Sequence, residues 1–298
     1  MDKKEEIQSI LKDYYPYINE FLGKIIEKRL TSPNYEDSIL ISRLLKAPHR
    51  LATLKKEEQV EDEEDFDYEA EYYDDEDYVY VPEGFKLDSG LYLLNKTLYY
   101  GEEYCEGFNC IFQDVNLSKP QEIDNRMTEI LAQLKAFEWL SKLGFRNITT
   151  IDSLQYRLKV DYVARKPPDY YAVVVTRLYS AKYAEEHRFE YDEPHVIRLL
   201  ATDITYAINQ KYPQLKEFCK KNIGINKGII FMSSGRDYFG SREYESKLYG
   251  LRPTKVLAVL NKEWRKRKEV QKNYKYLHHA VITTGRNVWN AIMYPSLN

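Results

Sequence analysis

Apolar positions recur at helical spacing from residue 3 to about residue 30, at Ile7, Ile10, Leu11, Tyr14, Ile18, Phe21, Leu22, Ile25 and Ile26. Pro16 falls inside this run and predicts two shorter helices or a kink, and Ser32-Pro33-Asn34 ends it. A second amphipathic helix is predicted over 36–54, with Ile39, Ile41, Leu44 and Leu45 on its apolar side. From 78 to 117 the pattern shortens to strand-like runs. Leu91–Leu94 and Thr97–Tyr100 flank Asn95-Lys96, which reads as a two-residue hairpin turn, and 108–115 reads as another strand. A strong helix follows over 122–143, with Ile123, Met127, Ile130, Leu131, Leu134, Phe137 and Leu140 at periods of three and four, stopped by Gly144.

Beyond that helix the pattern alternates between strand and helix. Residues 154–166 read as a strand, Pro167-Pro168-Asp169 as a turn, and 170–178 as a buried strand rich in β-branched residues. A polar helix is predicted over 192–221, kinked or split by Pro213, then a buried strand over 228–232. Residues 255–260 and 279–283 read as two further strands. The order implies an α/β class (an α+β mixed sheet). It divides the chain into a helical region at 1–55, an acidic linker at 56–82, a β-rich connection at 83–120 and an α/β core at 121–298.

Charge sharpens this picture. The chain has 298 residues and a formal net charge of −3, yet 57–77 holds 14 acidic residues and no basic one. The remainder therefore carries 44 basic residues against 33 acidic ones. The acidic tract reads as a solvated linker, as a nucleic-acid mimic lying on the basic surface, or as a docking strip for a protein partner. Opposite in sign is 262–275, where Lys262, Arg265, Lys266, Arg267, Lys268, Lys272 and Lys275 stand with Trp264 and Tyr274. Such a run suits a phosphate backbone, its aromatics stacking on exposed bases, and it equally suits a solvated helix face. The leaning is towards DNA. The longest apolar runs are about five residues against the roughly 20 a membrane span needs, so no membrane association is expected. The N-terminus has no apolar signal region, and three cysteines are too few for a disulfide framework, so a cytoplasmic location is expected. Cys105 and Cys110 read as ordinary thiols. The five histidines show no metal-ligand spacing, and adjacent His278 and His279 are expected on opposite faces of a strand.

The helix–hairpin–helix–strand order over 126–232 resembles the PD-(D/E)xK nuclease superfamily, the restriction-endonuclease-like fold. Its most specific part is Val160-Asp161-Tyr162-Val163-Ala164-Arg165 followed by Tyr171-Ala172-Val173-Val174-Val175-Thr176-Arg177. In that family an aspartate ends or bends the first strand, a Glu-x-Lys stands in the next, and a helix glutamate often completes the metal site. The resemblance implies a Mg²⁺-dependent DNA endonuclease of defence, mobile-element or DNA-processing systems, possible as a homodimer. Carboxylate oxygens would hold the cation against the scissile phosphate, and the lysine would stabilise charge or position water. Asp161 takes the first acid role and Glu129 the helix-acid role, the two together being the expected metal ligands. The second strand departs from the family: Val174 occupies the acid position and Thr176 the lysine position. Lys159 is the candidate for a displaced lysine, and Arg177 for a phosphate contact. The alternative is an inactive nuclease-fold subunit that binds DNA or serves assembly, and a weaker one is a protein-interaction module built on the acidic tract.

Overall fold

The computed structural model describes residues 3–61, 82–113, 119–151, 160–177, 193–233, 238–239, 274–283 and 292–294. The chain divides into two units, 1–96 and 97–298. The first is helical. Helices α1 (Lys3–Tyr14) and α2 (Pro16–Leu30) meet at Pro16, which opens α2 because a proline lacks only an N–H that the first turn would leave unpaired. The Asn95 side chain caps α2, its Oδ1 accepting from the N–H groups of Tyr17 (2.9 Å) and Ile18 (3.1 Å). Helix α3 spans Ile39–Glu61, and a short α4 spans Glu83–Leu87. The remainder of the acidic tract, 62–77, lies outside the described residues.

The expected hairpin over 91–100 is instead helix α5, Ser89–Tyr104. Two local facts decide it. Asp88 sits at the N-cap, its Oδ1 accepting from the N–H groups of Gly90 (2.9 Å) and Leu91 (3.1 Å). Leu87, Leu91, Leu94 and Leu98 then form a fully buried stripe at spacings of four, three and four, the period of a helix. The expected strand over 108–115 is a 3-10 turn, Phe108–Phe112, preceded by Gly107 at φ +70°. Among the described residues the connection is therefore helical, with strand structure limited to the two residues of β1 (Cys105–Glu106).

The second unit is a mixed α/β layer structure. Its sheet runs β1, β2 (Arg146–Thr150), β3 (Tyr162–Lys166), β4 (Asp169–Arg177), β5 (Lys227–Ser233), β6 (Leu277–Ile282) and β7 (Ile292–Tyr294), with neighbours in chain order. The β2–β3, β3–β4 and β6–β7 pairs are antiparallel; β1–β2, β4–β5 and β5–β6 are parallel. Helix α6 (Pro120–Lys142) connects the 3-10 turn to β2, and helix α7 (Glu193–Lys221) connects β4 to β5. Helix α6 stops in a Schellman turn, with Gly144 at φ +78° and the Phe145 N–H donating back to the Leu140 carbonyl at 3.0 Å. Pro213 does not split this helix, and α7 runs through it.

The two helices cover opposite faces. Ala172, Val174, Ile230, Met232, Ala280 and Ile282 pack with Ile204, Ile208, Leu215 and Phe218 of α7. On the other face Trp139 of α6 stands 5.9 Å from the Phe231 ring and Phe145 stands 5.3 Å from Tyr171. Gly228 permits the close approach of α7, since a Cβ there would lie 2.4 Å from a Leu215 methyl. One irregularity matters for side-chain direction. Gly228 pairs with Leu277 and Ile229 with His279, so His278 is an extra residue in β6. That bulge overturns the expectation of opposed histidines, bringing their ring centroids to 4.3 Å, with His278 5.6 Å from Tyr171.

Candidate functional site

At the carboxyl end of β4 the ladder comes apart, and Asp161 stands at the gap. Its N–H donates to the Val173 carbonyl (2.9 Å), but its own carbonyl turns to β2 and accepts from Ile151 (3.2 Å). Beyond the Tyr162–Val173 pair that ends the β3–β4 ladder, the Asp161 carboxylate takes over: Oδ2 accepts from the Val175 N–H and Oδ1 from the Gln133 side-chain amide, both at 2.7 Å. Below it the Tyr162 hydroxyl donates to the Gln133 carbonyl at 2.9 Å, fixing β3 to α6.

The carboxylate opens on a cavity of about 270 Å³ lined by residues of three elements. Helix α6 gives Glu129 and Gln133, β4 gives Thr176 and Arg177, and α7 gives Lys211 and Gln214. Burial raises the Asp161 pKa above its ordinary value; the Val175 and Gln133 hydrogen bonds and the Lys211 charge pull it down, and Glu129 adds to the rise. Glu129 is exposed at the rim and paired with Arg126 at 3.3 Å.

Three residues singled out in the sequence, Asp161, Glu129 and Arg177, thus converge on one cavity. Lys159 and the basic run Lys262, Arg265, Lys266, Arg267, Lys268 and Lys272 lie outside the described residues. Val174 is 1% exposed and belongs to the α7-facing core, so no β4 carboxylate stands beside Asp161. Lys211, Gln133 and Gln214 were not among the residues singled out. Lys211 did carry a signal, because it lies three residues after Ile208 and four before Leu215, a cation on the buried stripe of its helix. Gln133 is one turn from Glu129 on the same face.

A divalent cation can be tested against these groups. Mg²⁺ is commonly held by one or two carboxylates plus substrate phosphate oxygens, and Asp161 and Glu129 supply that number. The Gln133 Oε1 is buried without a hydrogen-bond partner, a neutral oxygen next to Asp161. The donor types fit. A cage of three or more His, Cys, Asp or Glu side chains is absent among the described residues. Elsewhere, burial pushes the Cys105 thiol up to about 12, so it is held as an unreactive thiol. No helix among the described residues is long and apolar enough to cross a membrane. Compared with protein-family models, curated proteins and solved structures, the chain matches none.

Proposed function

We propose that the chain is a DNA-associated protein of the restriction-endonuclease-like fold whose Asp161 cavity receives a phosphodiester and cleaves it weakly or not at all. The convergence of Asp161, Glu129, Arg177 and Lys211 on one cavity at the end of β4 carries this reading. Supporting it, the order α6, β3–β4 hairpin, α7 and β5 keeps the arrangement on which the resemblance rests, and Asp161 stands where the chain bends into β3. Arg177 and Lys211 supply two positive charges for a phosphate, Arg177 with a planar fork and Lys211 as a point charge. A bound Mg²⁺ would neutralise phosphate charge and activate water. Asp161 and Glu129 would hold it, Gln133 would orient Asp161, and Lys211 would offset charge where β4 supplies only Thr176.

Catalysis is expected to be feeble because Val174 occupies the acid position. A second reading, efficient metal-dependent cleavage, draws on the Asp161–Glu129 pair with the orphaned Gln133 oxygen. One experiment separates them. Plasmid and oligonucleotide DNA are incubated with the full chain and Mg²⁺ or Mn²⁺, beside Asp161→Ala and a Lys211→Glu/Arg177→Glu variant. The expected result is DNA binding lost in the charge-reversed variant, retained by Asp161→Ala, with little product. Val174→Glu with Thr176→Lys should raise Mn²⁺ affinity in calorimetry. Robust cleavage abolished by Asp161→Ala would establish the enzyme instead, and unchanged DNA binding in the charge-reversed variant would sink the phosphate role.

A further inference from the structure

A larger cavity, of about 670 Å³, lies at the other end of β2, in the range that small-molecule sites occupy. Arg146 opens β2 beside it, whereas Ile151, which bonds to Asp161, follows the last β2 residue. Five residues at about 3.3 Å each put Arg146 roughly 16 Å along the strand from Ile151. The walls are aromatic: Tyr100 and Tyr104 from α5, Phe137 from α6, and Phe145 from the turn before β2. The Tyr100 and Tyr104 rings, 6.0 Å apart, are 40% and 59% exposed, so large π surfaces remain open to solvent at the mouth.

The charges around these walls are unbalanced. Glu138 is spent on two lysines, buried Lys135 at 2.8 Å and Lys142 at 2.6 Å. Glu103 is engaged by the Tyr104 hydroxyl. Against these two carboxylates the lining sets Lys142 and Arg146, with buried Lys135 behind Glu138 and Lys166 beside the wall, its ammonium 5.3 Å from the Phe145 ring centroid. Arg146 makes no ion pair among the described residues, and its cross-strand partner is another cation, Arg165. Like charges directly opposite in a ladder destabilise it. Next to Arg146, Asn147 adopts φ +48° where the β2–β3 register slips, and both residues line the cavity. Strained backbone at a cavity mouth is a feature of ligand clamps.

Flat aromatic walls with cations at the rim, of which Arg146 makes no ion pair among the described residues, select a ligand that is both aromatic and anionic. We propose that this cavity is a nucleotide site, the base stacking on the Tyr100–Tyr104 wall and the phosphate resting on Arg146 and Lys142. The nucleotide is either free or an unpaired residue of a single strand, since both present the same base and phosphate. The site stands apart from the Asp161 cavity and does not rest on the function proposed for it.

The test uses the full chain with two probes, a fluorescent adenosine monophosphate and a short labelled oligodeoxyadenylate, read by anisotropy. Saturable binding is expected, weakened about tenfold or more in Tyr104→Ala and in Arg146→Glu, the scale of one lost stacking contact. Arg146→Glu also removes the Arg146–Arg165 repulsion, so its melting temperature should not fall below the parent's, which separates lost binding from lost fold. Similar affinity for both probes identifies a free nucleotide as the ligand; much tighter binding of the oligonucleotide identifies a strand. The proposal is overturned if neither probe saturates or if the two wall variants bind like the parent.

Discussion

Asp161 does two jobs with one carboxylate, and they make opposite demands on it. As the acceptor for the Val175 N–H it closes a gap in the sheet, work that a neutral oxygen would do as well. As a buried charge it opposes folding, because its pKa is raised by desolvation in the native state. The sign follows from linkage: the folded protein holds the proton more tightly than the unfolded chain, whose value lies near 3.8. The favourable contribution is complete below that value and disappears as pH rises through the higher folded value. Asp161→Asn should therefore be at least as stable as the parent at neutral pH, because the amide can accept from Val175 and donate to the orphaned Gln133 Oε1 once that amide turns over. Its advantage should shrink on mild acidification. Asp161→Ala strands the Val175 N–H and the Gln133 amide and should cost about 1–3 kcal/mol. Urea midpoints of the three proteins at neutral and mildly acidic pH check both statements. An asparagine less stable than alanine would contradict the architectural role. Asp161 was visible in the sequence through the strand motif around it. Lys211 and Gln133 were not singled out, because their importance comes from packing between elements far apart in the chain.

Elements with a long, consistent period were readable without coordinates. Helix α6 carries its apolar stripe for six turns and a glycine stop, and β4 and β5 are unbroken apolar runs too short for a helix. Helix α5 was misread because its leucine stripe can be cut into two apolar tetrads around Asn95-Lys96. What settles it is the Asp88 cap and the burial of a stripe that a hairpin would splay over both faces. The β6 bulge was likewise beyond a period-two reading, since it depends on the partner strand's register. It has a measurable corollary. Leu277, Ala280 and Ile282 all pack on the α7 side, so deleting His278 removes the extra residue and restores a regular ladder without turning the rest of β6 over. Deleting Val281, fully buried, would send Ile282 to the wrong face. Thermal denaturation should find the His278 deletion folded and cooperative and the Val281 deletion severely destabilised; equal damage from both would mean that the bulge does not absorb the length.

On the scale of the whole molecule, the formal charge of −3 conceals two opposed regions, 14 carboxylates in 57–77 and a remainder with 11 excess cations. Carboxylates on the same chain act at high effective concentration and would compete with DNA phosphates for basic surface. Converting those Glu and Asp residues to Gln and Asn should tighten DNA binding and steepen its dependence on salt, measured by titration at several ionic strengths. If neither affinity nor salt slope changes while DNA still binds, the tract serves as a linker or a docking strip. The sheet carries a different kind of order. Its seven described strands lie side by side in the sequence in which they occur along the chain. A chain leaving the ribosome N-terminus first, at roughly 5–20 residues per second, would find each new strand's partner already made. By the time Ser233 has emerged, β1 to β5 and both covering helices are available, so the last strands need only add to a finished edge. For this protein the direction of synthesis and the order of the described strands across the sheet coincide.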